Sequence, residues 1–502
     1  MTRLGILFSR LIAYMGRSTI IARLMRGAFW SLIGTAVSRV ITLVTSIWVA
    51  RLLGVEGFGE LGIITSTVGM FGVLAGFGLG STITKSVAEH REMRPDKASA
   101  IWGLVSLIGL GISFFIASCL FVFAEAIAMY SFGRTDITQL LQISAFLLFL
   151  GAMSGIQHAA LSGVEVFAKI ARLNIIQAVI SPFITIPAIW WFGIVGAVVS
   201  YCIIAGIGVM LTLIVVKDEF AKFGISTRYQ HAMWQEREIL WSFSLPALLS
   251  AMLVAPVNWV CNAILVNQSN GFSDMGIYNA ANQWRLVVML LPQMLSAAML
   301  PILAETYSRP DKNNFNESVY LNLRLVWVIS LPIAVLMILF GANFAKLYGS
   351  EYVGMEMVLP VLMAAVFFNI VCAPVGTALA GSSRMWTGAI MNYGWAIVLI
   401  LLSVVLVPLY KAVGLAIANL LAYFLHVCWV MVYVERKLSP GAISSQASLL
   451  VFGLIIIVAS LFVEYMIIDN WIAALALVCV SLLPAMNILY KKYNLSFQTG
   501  QG

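Results

Sequence analysis

Two arginines stand among residues that are almost all apolar. Arg39 lies within FWSLIGTAVSRVITLVTSIWVA, and Arg285 lies within YNAANQWRLVVMLLPQ. A charge at the centre of a membrane helix costs about 2.5–3.5 kcal/mol even on lenient insertion scales, so each guanidinium must face water, a polar partner or a ligand. Asn258 and Asn262 occupy the apolar run before Arg285, and Asn279, Asn282 and Gln283 share its own run. Positions 258 and 262 fall on one helical face, and so do 278, 282 and 285. A polar stripe that carries an arginine reads as a cavity lining. Two chemistries are open. The arginines could pair with carboxylates and lock helices together, but the acids deep enough to serve are few: Glu60, Glu165 and Glu464 sit near the ends of apolar runs. They could instead bind an anion, since a guanidinium grips phosphate or diphosphate through two parallel hydrogen bonds.

The elements that hold these residues follow from composition. The chain has 502 residues, 61% apolar and 10% charged, with a mean hydropathy of +0.98. Water cannot solvate a surface of that kind, whereas each bilayer crossing consumes about 20 mostly apolar residues. Apolar runs and polar breaks predict fourteen spans, near 28–50, 60–82, 99–123, 139–161, 173–192, 194–216, 241–265, 276–301, 319–342, 355–378, 386–408, 412–433, 447–466 and 471–490. The expected fold is an all-α polytopic membrane protein with short loops and no soluble domain. A basic arm (1–27) precedes a first six-span lobe (28–216). A charged stretch (217–240) reads as a linker to a second six-span lobe (241–433). A terminal pair (434–490) and a tail (491–502) complete the chain. The segment 52–72 (LLGVEGFGELG…) has a counterpart at 267–287 (NQSNGFSDMG…), which makes the lobes resemble repeated halves, a common transporter plan.

Charge distribution orients the chain. With the N-terminus inside and strict alternation, 23 of the 29 Lys and Arg fall in inner segments; four (Arg51, Arg134, Lys346, Lys411) fall in outer loops, and the other two are Arg39 and Arg285. This asymmetry predicts both termini in the cytoplasm. The net charge of +8 then follows from topology and gives no reason to expect a nucleic-acid partner. Arg3, Arg10 and Arg17 recur every seventh residue beside Leu4, Leu7, Phe8 and Leu11, as in an amphipathic helix lying on anionic lipid. A loose basic tail would have the same composition.

Enzyme signatures are missing from the sequence: it has no phosphate-cradling loop, no nucleophile motif and no cluster of carboxylates. No catalytic residue, metal or cofactor is expected. Cysteines and histidines are scattered singly, without metal-ligand spacing. The run GVLAGFGLG at 72–80 lies inside an apolar span, where close helix packing is its expected use.

The opening run FWSLIGTAVSRVITLVTSIWVARLLGVEGFGELG, the segment LPQMLSAAMLPILAE from Leu291 to Glu305, and the paired lobes resemble the polysaccharide and O-antigen flippases of the multidrug/oligosaccharidyl-lipid/polysaccharide exporter superfamily. The resemblance implies a V-shaped bundle whose lobes rock about a central cavity. It also implies a cargo: polyprenyl-diphosphate-linked oligosaccharide, moved from the cytoplasmic to the outer leaflet of a bacterial inner membrane for surface polysaccharide such as lipopolysaccharide. Related lipid II flippases also have fourteen spans, the last two forming a groove for the lipid tail, and the spans at 447–466 and 471–490 are similar in placement. The family's cationic cavity maps onto Arg39 and Arg285, with Arg51 a further candidate nearer the outer surface. Asn258, Asn262 and Asn282 would line the same cavity. Glu56, Glu60 and Asp274 are candidates for proton or sodium coupling. The implied partners are the lipid-linked oligosaccharide, membrane lipid, a polysaccharide polymerase and a chain-length regulator. A cation-coupled multidrug antiporter, a lipid II flippase and a membrane-embedded glycosyltransferase or polymerase are the alternatives.

Overall fold

The computed structural model describes residues 20–228, 231–244, 248, 252–308, 313–382, 384–466 and 471–487. Most of the basic arm and the whole tail lie outside these residues. The described chain is built from helices, in the order α1 (Ile20–Gly76), α2 (Leu79–His90), α3 (Pro95–Val122), α4 (Ala124–Phe132), α5 (Thr138–Gly163), α6 (Phe167–Lys222), α7 (Val254–Val266), α8 (Gly271–Val288), α9 (Leu290–Ser308), α10 (Asn313–Leu339), α11 (Gly341–Lys346), α12 (Met355–Gly381), α13 (Met385–Tyr433), α14 (Ala447–Met466) and α15 (Trp471–Ser481).

Among the described residues, eight helices are long and apolar enough to cross a bilayer. Three of them, α1, α6 and α13, are each divided by one non-helical residue: Gly54 at φ 71°, Gly193 at φ 56° and Lys411 at φ 52°. Each therefore holds two of the expected spans. In α6 the division is a hairpin, because Ser200 donates to Thr185 at 3.2 Å and a Cβ on Gly208 would meet Gln177. In α13 the same holds: a Cβ on Gly414 would lie 2.2 Å from the Leu406 carbonyl, and one on Gly394 would strike Trp429. The shorter apolar helices α7 and 472–487, with the α8–α9 pair, occupy the three remaining predicted spans. Between α8 and α9 the helix is interrupted at Met289, close to Pro292, whose ring nitrogen cannot donate to the preceding turn.

The surface is that of a lipid-facing protein. Trp190, Trp191 and Phe192 stand exposed beside the Gly193 turn, as in an aromatic belt at a membrane interface. Many side-chain hydroxyls within the spans bond back to their own helix, as Thr42 does to the Ser38 carbonyl (2.8 Å) and Ser330 to that of Val326 (2.6 Å), and so need no water.

The chain forms two compact units, one of residues 1–53 and 60–259, the other of 54–59 and 260–502. The division falls at Trp259, inside the seventh span, and not in the stretch 217–240 expected to be a linker. That stretch packs onto the first unit: Ile225 and Met233 are buried in its core, and the Ser226 N–H donates to Ser99 Oγ at 2.8 Å. Trp259 stays with the first unit because its indole donates to Thr67 (3.0 Å) and its ring packs edge-on against Phe132.

The inner core of the first unit gathers Leu79, Ile83, Ile101, Val105, Ile156 and Phe220 from α2, α3, α5 and α6. Arg91, 7% exposed, fastens it by donating to the Gly163 carbonyl (2.9 Å) and to Glu165 (2.8 Å) and by lying 5.7 Å over the Phe223 ring. Replacing Arg91 with Ala leaves that carbonyl unbonded and is expected to cost about 2 kcal/mol. A lowered thermal midpoint in detergent would register it, and an unchanged midpoint would show that the contact contributes nothing.

The glycine run 72–80 departs from expectation. A Cβ on Gly72 or Gly76 would meet nothing within 4 Å, and one on Gly80 would meet Ala159 at 3.6 Å, an ordinary van der Waals contact. The helix stops at Gly76 and resumes at Leu79, with Phe77 and Gly78 both at positive φ. Gly72, Gly76 and Gly80 then border a pocket of about 370 Å³ together with Gly151 and Gly155 of α5.

In the second unit α12 is the central helix, 83% buried along its apolar window. The segment 54–59 belongs here through close backbone approach. A Cβ on Gly59 would fall 1.8 Å from the Phe272 carbonyl, and one on Gly276 would fall 1.9 Å from that of Val55. Tyr352 donates to the Gly54 carbonyl at 3.2 Å and meets Phe58 edge to face. The sequence counterparts GFGELG and GFSDMG thus touch each other.

Candidate anion site

Arg285 sits on α8 about one turn from Asn282 and two from Tyr278 on the same face, the stripe expected from spacing. It is half-buried, and its Nε is buried without a hydrogen-bond partner, as is Asn282 Oδ1. Tyr278 and Tyr423 are both near enough for the Arg285 charge to act on their phenols. Asn419, 2% exposed, donates to Tyr278 Oη (3.3 Å) and to the Leu415 carbonyl (3.0 Å), leaving its own Oδ1 unbonded. Trp395 stacks on Tyr423 with ring centroids 5.1 Å apart. Both halves of the α13 hairpin therefore brace the two phenols around the arginine. Among the described residues no carboxylate pairs with Arg285.

Arg39 lies in the first unit on α1. Its side chain is exposed and has no ion-pair partner among the described residues. Thr35, Arg39, Thr42 and Ser46 share one helical face, while the exposed apolar residues Val37, Val44 and Trp48 share the opposite one. That pattern places Arg39 on a hydroxyl-bearing face and away from the side suited to lipid. Arg51, also exposed, is a third of a turn round from it, near the outer end. Arg39 precedes the left-handed residue Gly54 by fifteen positions, and Arg285 follows the left-handed residue Asn270 by fifteen. At 1.5 Å per residue each guanidinium is rooted about 22 Å down its helix from the outer turn.

The other candidates distribute unevenly. Asn258 falls in the first unit and Asn262 in the second. The Asn258 amide donates to the Val254 carbonyl of its own helix at 2.9 Å, so that donor is already used. Glu60 pairs with Arg134 at 2.9 Å, and the same guanidinium binds Asp136, holding that carboxyl below the usual range. Asp274 faces Lys411 at 3.7 Å, and Glu56 is exposed. Sequence reasoning missed Asn419, Tyr423 and Trp395. The signal available was an amide in the apolar run GLAIANLLAY with a tyrosine four residues on, one turn along the same face.

A family model described as polysaccharide biosynthesis protein matches residues 24–307, more than half of the chain and every candidate position named above from Arg39 to Arg285. The chain belongs to this family. The putative O-antigen transporter of Shigella flexneri is 24% identical over 402 residues, covering 79% of this chain and 94% of that protein. The EPS I polysaccharide export inner membrane protein EpsE of Ralstonia nicotianae is 22% identical over 408 residues, covering 78% and 89%. Among solved structures, the lipid II flippase MurJ in an inward closed conformation matches with a TM-score of 0.71 at 15% identity, over 92% of this chain and 98% of that one. An inward-facing multidrug resistance MATE family transporter of the MOP superfamily matches with a TM-score of 0.65 at 14% identity, over 79% and 94%. These two likenesses establish the fold: the family's polytopic helical architecture is shared with MurJ and MATE transporters.

Proposed function

We propose that this family member is a flippase that carries polyprenyl-diphosphate-linked oligosaccharide from the cytoplasmic to the outer leaflet by alternating access, for surface polysaccharide synthesis. The observation that supports the reading is Arg285: a half-buried cation with unsatisfied polar atoms around it and no carboxylate partner among the described residues. Such a group is costly unless an anion meets it. Arg285 grips the diphosphate, the sugars take the neighbouring phenol and amide groups, and the prenyl tail stays in lipid; Arg39, in the first unit, is a second candidate for the anion. The names of the Shigella and Ralstonia relatives point to the same class of cargo. The protein resides in the bacterial inner membrane with both termini in the cytoplasm, and a polymerase and chain-length regulator receive what it delivers.

The driving force needs no nucleotide. A head with about two negative charges gains roughly 4–5 kcal/mol per 100 mV when it moves outward from an inside-negative compartment. Glu60 and Asp274 are each engaged by a basic side chain, which leaves potential-driven movement the simpler reading over ion coupling. The test is reconstitution into vesicles with a fluorescent short-chain polyprenyl-diphosphate oligosaccharide. Its appearance in the opposite leaflet should require the protein and should slow when the potential is collapsed. Transport of cationic drugs without glycolipid movement would replace this reading with the antiporter.

A further inference from the structure

In the second unit, α10, α14 and the helix 472–487 surround a pocket of about 380 Å³, a volume in the range of small-ligand sites. Its lining changes character in the same direction on all three helices. On α10 the order is Tyr320, Arg324, then Val328; on α14 it is Ser448, then Phe452; the third helix runs the other way, from Leu483 to Asn487. Each step is about one turn, near 6 Å. The polar members all lie toward the end that the Lys and Arg asymmetry assigns to the cytoplasm, and the apolar members all lie deeper. Arg324 donates to Tyr320 Oη at 3.1 Å and has no carboxylate partner among the described residues, so its remaining N–H groups are available. Gln446 closes the polar end, its amide held by the Tyr320 and Ala442 carbonyls.

We infer that this pocket binds the head of an anionic glycerophospholipid of the inner leaflet, fastening the terminal helices to α10. The single phosphodiester charge meets Arg324, Ser448 and Asn487 supply neutral donors, and an acyl chain leaves past Val328, Phe452 and Leu483. One guanidinium among neutral lining groups matches a singly charged phosphodiester better than a diphosphate. The inference uses the membrane orientation but is independent of the flippase reading, because this lipid stays in place and is not cargo.

The experiment is native mass spectrometry of the full-length protein in detergent with phosphatidylglycerol or phosphatidylcholine added, and polyprenyl diphosphate as competitor. The wild type should retain phosphatidylglycerol in preference to phosphatidylcholine, and the competitor should not displace it. Arg324→Gln should lower phosphatidylglycerol retention about fivefold, the loss of one charge-assisted contact, with phosphatidylcholine unchanged. Ser448→Trp, which fills the polar end and keeps Arg324, should lower retention too and carries the test if Arg324→Gln does not fold. Equal phosphatidylglycerol retention in wild type and variants overturns the inference. So does displacement by polyprenyl diphosphate, which would make the pocket a cargo site.

Discussion

Replacing Arg285 with Ala is expected to cut surface polysaccharide about 10- to 100-fold at equal protein level, the loss of one or two hydrogen bonds to a charged group. Lys keeps the charge but not the planar pair of donors, so Arg285→Lys should fall between wild type and Ala. Arg39→Ala should move in the same direction, because Arg39 too is a guanidinium within a span with no ion-pair partner among the described residues. Asn258→Ala makes the contrast: one of its amide N–H groups is already given to the Val254 carbonyl of its own helix, and polymer should stay near the wild-type amount. The measurement is polymer per cell in a strain lacking the chromosomal copy, with membrane protein quantified by immunoblot. Normal polymer from both arginine variants would remove these residues from the cargo path. Tyr423, braced by Trp395 at 5.1 Å, separates support from contact. Tyr423→Phe deletes a hydroxyl and keeps the stacking, so a strong loss there would mean that the phenol itself meets cargo.

The second large effect is at Gly276. A Cβ there would lie 1.9 Å from the Val55 carbonyl and 3.1 Å from its side chain. Backbone cannot yield as a flexible side chain can, so Gly276→Val must push the segment 54–59 off α8. Overpacking of this kind costs about 1–3 kcal/mol, and more where backbone is struck. The displaced segment also holds the Gly54 carbonyl bonded by Tyr352 and the Phe58 carbonyl bonded by Asn279 at 3.4 Å. Gly276→Val should therefore lower the yield of monodisperse protein and its thermal midpoint by several degrees. Gly72→Ala is the matched control, because its Cβ meets nothing within 4 Å, and its midpoint should stay within a degree of wild type. Equal midpoints for both variants would mean that the segment is not held through Gly276.

Much of the architecture is legible in the order of residues because the bilayer imposes one rule everywhere. An apolar run of about 20 residues must be a helix, since nothing else satisfies its backbone in lipid. The long helices accordingly begin and end within eight residues of the runs that predict them. The reversals at Gly193 and Lys411 are marked less clearly. Gly can take positive φ without cost, but Lys411 pays for it, and only the hairpin and the facing Asp274 explain why it does. The stripe of Tyr278, Asn282 and Arg285 was also legible, because residues on one helix share a face by spacing alone.

What spacing cannot supply is the neighbour on another helix. The bracing of Tyr278 by Asn419 and of Tyr423 by Trp395 depends on how α8 meets the folded-back α13, some 140 residues away in sequence for the first pair. Glu60 and Glu165 looked like acids available to the arginines, and Asp274 like a coupling acid, until folding set Arg134, Arg91 and Lys411 beside them. The glycines at 72–80 suit close packing or an open slot equally, and the bend at Phe77–Gly78 opens the slot. The two arginines in apolar runs are different. Their cost in lipid is a property of the sequence alone, which already marked them as residues in need of an anion or a partner. Among the described residues the tertiary structure places no carboxylate on either one, and Glu60 and Glu165 are instead taken by Arg134 and Arg91.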